Sequence, residues 1–155
     1  MILHIDIMFI VIMLEYNSVV WSPHLKSDIE LIENVQRRFT KRLKGLSALS
    51  YDDRLKLLNL ERLEIRGLRF DLLCCYKLIF GLVRIDCEAF FELRTSCTRG
   101  HIYKLFKHHS SISVRSNFFA ERVINAWNGL PADRIDFSSY PRFHSSLQHC
   151  VLTAS

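Results

Sequence analysis

The sequence predicts a mainly α protein, a small helix bundle with one long central helix and room for a single short β-hairpin. Three observations carry this. Apolar residues recur in steps of three and four through most of the chain, the period of a helix rather than a strand. Gly and Pro number only 5 and 3 among 155 residues, so little interrupts those helices. Charge along the first helix is ordered acidic then basic, as the helix macrodipole favours. Hydrophobic residues make up 49% and charged residues 24%, which is globular composition and excludes a disordered or fibrous chain. A chain of this length buries about 70% of its unfolded surface, enough for one domain with at most a small second unit.

The first stretch, Met1 to Leu14, is apolar but interrupted by His4 and Asp6. It lacks the basic start and small-residue cleavage site of a signal peptide. Asp6, Glu15 and Asn17 make Met1 to Val20 a poor membrane span. Residues 1–13 therefore read as a short buried apolar segment, with an accidental start as the alternative.

The first helix is expected to begin at Ser22-Pro23 or at Ser27, where Ser27-Asp28-Ile29-Glu30 matches a capping box. Ile29, Ile32, Val35, Phe39 and Leu43 make its apolar stripe, and Gly45 ends it. Ser50 caps a second helix with Asp52 and Asp53 in its first turn and Leu55, Leu57, Leu58, Leu60 and Leu63 on its apolar side. A bend near Asn59 leads into the long helix, Glu61 to Leu82. Ile65, Leu68, Leu72, Cys75 and Ile79 line one face of it, and Leu73, Tyr76, Phe80 and Val83 a second. A helix apolar on two sides is central in a bundle. Gly81 stops it.

Ala89-Phe90-Phe91 reads as a short helix, Thr95 to Gly100 as loop, and His101 to Arg115 as the segment with room for a hairpin. Ser116 and Asn117 cap the last strong helix, with Phe119, Val123, Trp127 and Leu130 on its stripe and Pro131 after it. Trp127 continues that stripe and is read as core. Ser138-Ser139 and Pro141 read as loop, ahead of a short helix from Phe143 to Leu147, and residues 148–155 form a tail.

Five Cys, at 74, 75, 87, 97 and 150, are odd in number, and two are adjacent inside an apolar helical pattern. A secreted disulfide framework looks different, so reduced thiols in an intracellular protein, nuclear or cytoplasmic, are expected. Tyr51-Asp52-Asp53 resembles a polymerase metal motif, but the residue two before Asp52 is Ser50 and the pair opens a helix, so a helix N-terminus is the reading. Cys97, His101, His108, His109, His144, His149 and Cys150 show no zinc-module spacing, and no metal or other cofactor is expected. No nucleophile elbow or Gly-rich phosphate loop is present, so neither an enzyme nor a small-molecule substrate is expected.

The net charge of +5 permits a polyanionic partner. Arg37, Arg38, Lys41, Arg42 and Lys44 crowd the end of the first helix. Residues 93–120 hold Arg94, Arg99, Lys104, Lys107 and Arg115 and no acidic residue, with Tyr103, Phe106 and three His interleaved. Such segments can neutralise phosphates and stack bases; a solvated basic surface fits them equally well.

Several blocks resemble one family. Leu14-Glu15-Tyr16 followed by Trp21-Ser22-Pro23, then Ile32-Glu33-Asn34-Val35-Gln36-Arg37-Arg38-Phe39-Thr40-Lys41, is similar to the segment after the catalytic palm in reverse transcriptases of jockey-like non-LTR retrotransposons (the LINE type of RNA-directed DNA polymerase). Leu49-Ser50-Tyr51 with Arg54-Leu55, and Leu60-Glu61-Arg62-Leu63-Glu64, resemble the next block. Arg99-Gly100-His101 and the run from Arg115 to Trp127-Asn128-Gly129-Leu130-Pro131 resemble the last. The resemblance covers residues 14–147 and implies a thumb-like and post-thumb helical domain. The family's fingers, its palm with the metal-binding aspartates and any endonuclease have no counterpart here. The expectation is a truncated C-terminal fragment without polymerase activity, which retains at most a residual non-specific binding to an RNA or RNA/DNA duplex backbone. The residues expected to make that contact are Arg37, Arg38, Lys41, Arg42, Arg99, Lys104, Lys107 and Arg115. The alternative is an inactive relic or interaction module that exposes the former palm-contact surface and self-associates through it. Membrane attachment is not expected.

Overall fold

The computed structural model of the chain describes residues 26–94, 100–108 and 118–150. The expectations for residues 1–25, Cys97, Arg99, His109, Arg115, the Ser116-Asn117 cap and the last five residues lie outside that range. Within it the protein is mainly α. The helices are α1 (Lys26–Arg42), α2 (Tyr51–Leu58), α3 (Leu63–Ile79), α4 (Phe119–Asn128) and α5 (Tyr140–His149). No helix among the described residues is long and apolar enough to cross a membrane. The chain divides into two compact units, Met1–Gly67 and Leu68–Ser155.

In the first unit, α1 contains Ser27 and Asp28 in its first turn instead of being capped by them; Ser27 Oγ lies 3.3 Å from Asp28 Oδ1. The chain leaves α1 through a turn in which Gly45 takes φ +83, a conformation that favours a residue without Cβ. Ser50 caps α2, its hydroxyl accepting from Asp53 N at 3.2 Å. Asn59 ends α2 in the left-handed region at φ 52, one of the few non-glycine types that tolerates it, and this is the expected bend.

The buried row of α1 corrects the sequence reading. Val35 is 48% exposed, and Ile29, Ile32, Phe39 and Leu43 are only half-buried. The buried residues are polar: Glu33, Gln36 and Thr40. Their partners explain it. The Glu33 carboxylate accepts from the Tyr51 hydroxyl and, at 2.9 Å, from the backbone N–H of Leu63. Leu63 is the first residue of α3, so a negative charge from α1 satisfies an orphan donor at the positive end of another helix. Gln36 Nε2 donates to the Tyr51 hydroxyl at 3.0 Å and to the Glu61 carbonyl at 3.1 Å. Burial and the neighbouring Glu33 carboxylate push the Tyr51 phenol above its ordinary range, so it stays a donor. The side of α2 is likewise narrower than expected: Leu55 is buried while Leu57 is 67% exposed.

The second unit is built on the two apolar faces expected of α3, although the helix ends at Ile79, before Gly81, which takes φ +64. Leu72, Leu73, Cys75, Tyr76 and Leu78 are buried there against Val123, Ile124 and Trp127 of α4 and Phe143 and Leu147 of α5. Tyr76 stacks between Phe80 at 4.2 Å and Phe143 at 4.5 Å, and its hydroxyl donates to the Phe137 carbonyl at 3.0 Å. Arg122 holds both oxygens of buried Asp71, at 2.8 and 2.9 Å. Burial nevertheless outweighs that guanidinium and raises the Asp71 carboxyl above its usual range. Cys74, Cys75, Cys87 and Cys150 are free thiols, and burial pushes the Cys75 thiol far up, which leaves it inert.

Three further expectations change here. The short helix placed at Ala89-Phe90-Phe91 is a 3-10 turn over Cys87–Ala89. The segment from His101 to Arg115, read as having room for a hairpin, is described only to His108, and its pairing there is with the preceding stretch: Leu105 makes an isolated antiparallel bridge to Leu93, flanked by Arg94 N to Lys104 O and Phe106 N to Glu92 O. Asn128 closes this pairing from α4, donating to the Leu105 carbonyl and accepting from its N–H, each at 2.8 Å. Finally, α5 starts at Tyr140 with Pro141 in its first turn, where a missing N–H costs nothing.

His101 is buried, with Nε2 2.9 Å from the Trp127 carbonyl. A carbonyl only accepts, so Nε2 carries the proton and Nδ1 is left buried without a partner. Protonation would aim a second N–H at no acceptor. Burial lowers the His101 pKa from 6.5, the Trp127 bond opposes this, and Lys104 adds to it. A folded-state value below the unfolded one gives full stability above the unfolded pKa and a loss as the pH falls through it. Urea midpoints should therefore drop between about pH 7.5 and about pH 5.5. His101→Gln should remove most of that slope, and a flat wild-type profile would contradict the assignment.

Candidate nucleic-acid interface

Four of the basic residues singled out by the sequence share one surface. At 100° per residue, positions 37, 38, 41 and 42 fall within an arc of roughly 140° around α1. Arg37, Arg38, Lys41 and Arg42 are all exposed, and Lys41 and Arg42 occupy the last turn. That is where the helix dipole favours cations and where the local field is already set for them. No carboxylate among the described residues pairs with Arg38, Lys41 or Arg42.

The opposite side of the same turns is locked from beneath. Arg54, almost fully buried in α2, donates from Nη1 to the Leu49 carbonyl at 2.7 Å, from Nε to Thr40 Oγ1 at 3.2 Å and from Nη2 to the Arg37 carbonyl at 3.4 Å. Thr40 Oγ1 itself donates to the Arg37 carbonyl at 3.1 Å. Arg37 lies over the Tyr51 ring at 4.9 Å, so its guanidinium is partly oriented before any ligand arrives. The backbone that carries the outward residues is thus held by an inward polar network on the same helix.

Lys104 and Lys107, two of the other predicted contacts, have their own partners and neighbours in the chain. Lys107 donates to Asn125 Oδ1 at 3.0 Å, and Lys104 lies half-buried with its chain against Gly100. Both belong to the second unit. Arg99 and Arg115 lie outside the described residues. The stretch after residue 93 is also less purely basic in space than in sequence, because His108 faces Glu92 at 3.3 Å.

Tyr51-Asp52-Asp53 opens α2, as read. Asp52 pairs with exposed Arg62 at 2.9 Å, and Asp53 is engaged with the Ser50 cap. Among the described residues no three His, Cys, Asp or Glu side chains are grouped as a metal site requires. Trp127, read as core, is fully buried, with Nε1 donating to the Tyr103 carbonyl at 2.6 Å. Sequence reading missed Arg54 as the residue that braces the face, because two of its three acceptors lie in α1, fourteen and seventeen positions away. It also missed that Leu31, 66% exposed, and Val35 continue the basic row of α1 as an apolar one. Comparison with family models, with curated proteins and with solved structures finds no match.

Proposed function

We propose that the chain is the thumb and post-thumb part of a protein like the non-LTR retrotransposon reverse transcriptases, and that the outer face of α1 holds a nucleic-acid backbone without reading its sequence. One observation carries this: four exposed cations lie on one side of a single helix end braced by a buried guanidinium, and no carboxylate among the described residues pairs with Arg38, Lys41 or Arg42. A row of cations on one helix face suits the regular phosphates of a duplex, and phosphate contacts position a strand while conveying no base identity. An RNA or RNA/DNA duplex is the partner that this chemistry and the family resemblance jointly favour. Neither a catalytic step nor a bound metal is part of the reading.

The test is fluorescence anisotropy of the full chain with labelled RNA/DNA hybrids at low salt. Two hybrids of unrelated sequence should bind with affinities within about threefold of each other. Absence of any association at low salt overturns the reading. The exposed Leu31, Val35 and Leu57 then favour the alternative, a module that docks onto protein or onto its own copies.

A further inference from the structure

The four cations of the α1 face are not equivalent, because one of them is held at both its backbone and its tip. The Arg37 carbonyl accepts from Thr40 Oγ1 at 3.1 Å and from Arg54 Nη2 at 3.4 Å. Its guanidinium carbon lies 4.9 Å from the centroid of the Tyr51 ring. Among the described residues no aromatic ring lies under Arg38, Lys41 or Arg42.

The ring is itself held. Its hydroxyl donates to the Glu33 carboxylate and accepts from Gln36 Nε2 at 3.0 Å. Glu33 and Gln36 are both buried, on the inward side of α1. The buried Arg54 guanidinium packs over the same ring at 5.5 Å. Tyr51 is therefore tied to the inward network, while the Arg37 that rests on it is exposed.

A guanidinium that rests on a ring uses its face and keeps its in-plane N–H groups. Those are the donors that grip a phosphate two at a time. A long side chain free in water loses rotamer freedom when it binds, and one already held loses less. Arg38, Lys41 and Arg42 have no ring beneath them and lose that freedom in full.

We propose that Tyr51 is a positioning residue for the nucleic-acid face: its ring presets Arg37 as the anchoring phosphate contact, and the other three cations make weaker ones. Tyr51 itself touches no phosphate and acts through Arg37. The inference rests on the nucleic-acid reading and adds an order among its four contacts.

The experiment is an anisotropy titration of the full chain with a labelled RNA/DNA hybrid at low salt, with the thermal midpoint of each variant measured alongside. Arg37→Ala should weaken binding about tenfold, and Arg38→Ala by about threefold or less. Tyr51→Leu removes the ring and should weaken binding about threefold. Added to Arg37→Ala, it should change the affinity no further, because no guanidinium is left to position. Tyr51→Phe restores the ring and should recover the affinity lost in Tyr51→Leu. Its thermal midpoint should still fall below that of the wild type, because Glu33 and Gln36 lose a partner. A merely structural role would give one order in stability and affinity alike. Arg37→Lys keeps the charge without the planar face and should weaken binding about threefold.

Should Tyr51→Leu fail to fold, Arg37→Lys and the comparison of Arg37→Ala with Arg38→Ala decide. Equal losses in those two alanine variants overturn the proposal. So do additive losses from Arg37→Ala and Tyr51→Leu, or wild-type affinity in Arg37→Lys. Any of these results in a chain whose wild type binds leaves the nucleic-acid reading standing. A wild type that does not bind at all overturns both.

Discussion

Replacing Trp127 with alanine is expected to unfold the second unit or to leave it close to its midpoint at room temperature. The indole is fully buried among His101, Phe137 and Phe143, with ring centroids 5.9, 5.6 and 5.7 Å away. Large-to-small changes of this kind cost about 3–5 kcal/mol through lost transfer energy and the cavity left behind. A second loss adds to it, because the Tyr103 carbonyl loses the indole N–H that it accepts at 2.6 Å. Against a usual total of about 5–15 kcal/mol, this is a large fraction. Trp127→Phe separates the two contributions, since it keeps most of the apolar volume and removes only the donor. Urea unfolding followed by near-ultraviolet circular dichroism should rank wild type above Trp127→Phe and Trp127→Ala last. A Trp127→Ala loss below about 1 kcal/mol would contradict the placement of this side chain at the centre of the core.

The second large effect is expected at Arg54, a residue that composition alone would class with the solvent-exposed cations. Its guanidinium serves three acceptors on two segments, the Leu49 carbonyl, Thr40 Oγ1 and the Arg37 carbonyl, and packs over the Tyr51 ring at 5.5 Å. Arg54→Ala strands those acceptors and should cost about 3 kcal/mol. Arg54→Lys should not restore stability, because a single ammonium cannot reproduce a planar fork that reaches three directions. The readout is the thermal midpoint together with far-ultraviolet helicity. Full stability in Arg54→Lys would contradict the network.

The contrast between these two residues shows what was legible in the sequence. Trp127 was read as core from its place on the stripe of α4. Ser50, Asn59, Gly45 and Gly81 announced caps and turns, because their roles depend on backbone geometry within a few residues. The face of α1 was legible in the same way: a helix of known pitch places positions 37, 38, 41 and 42 together whatever else the chain does. What failed was the assumption that the apolar row is the buried row. In α1 the partners are the Tyr51 hydroxyl, the Arg54 guanidinium and the first N–H of α3, so the inward residues must hydrogen-bond, and Leu31 and Val35 are left outside. Those partners lie up to thirty positions away in sequence, as from Glu33 to Leu63, beyond the reach of any local periodicity. Separation in sequence, though only twelve positions, also hid the pairing of Leu93 with Leu105. Pro141 was misread for a different reason: the residue that breaks a helix interior is well suited to a first turn, and spacing alone does not separate the two.

The basic face of α1 is tested most directly by the salt dependence of its binding to an RNA/DNA hybrid. Four cations that each neutralise one phosphate give a slope of log affinity against log salt of roughly −3.6. Changing Arg38 and Arg42 to alanine leaves the inward network untouched and should bring that slope to roughly −1.8, with the fold unchanged by circular dichroism. A slope that stays the same in the double variant would place the contact elsewhere and contradict the account.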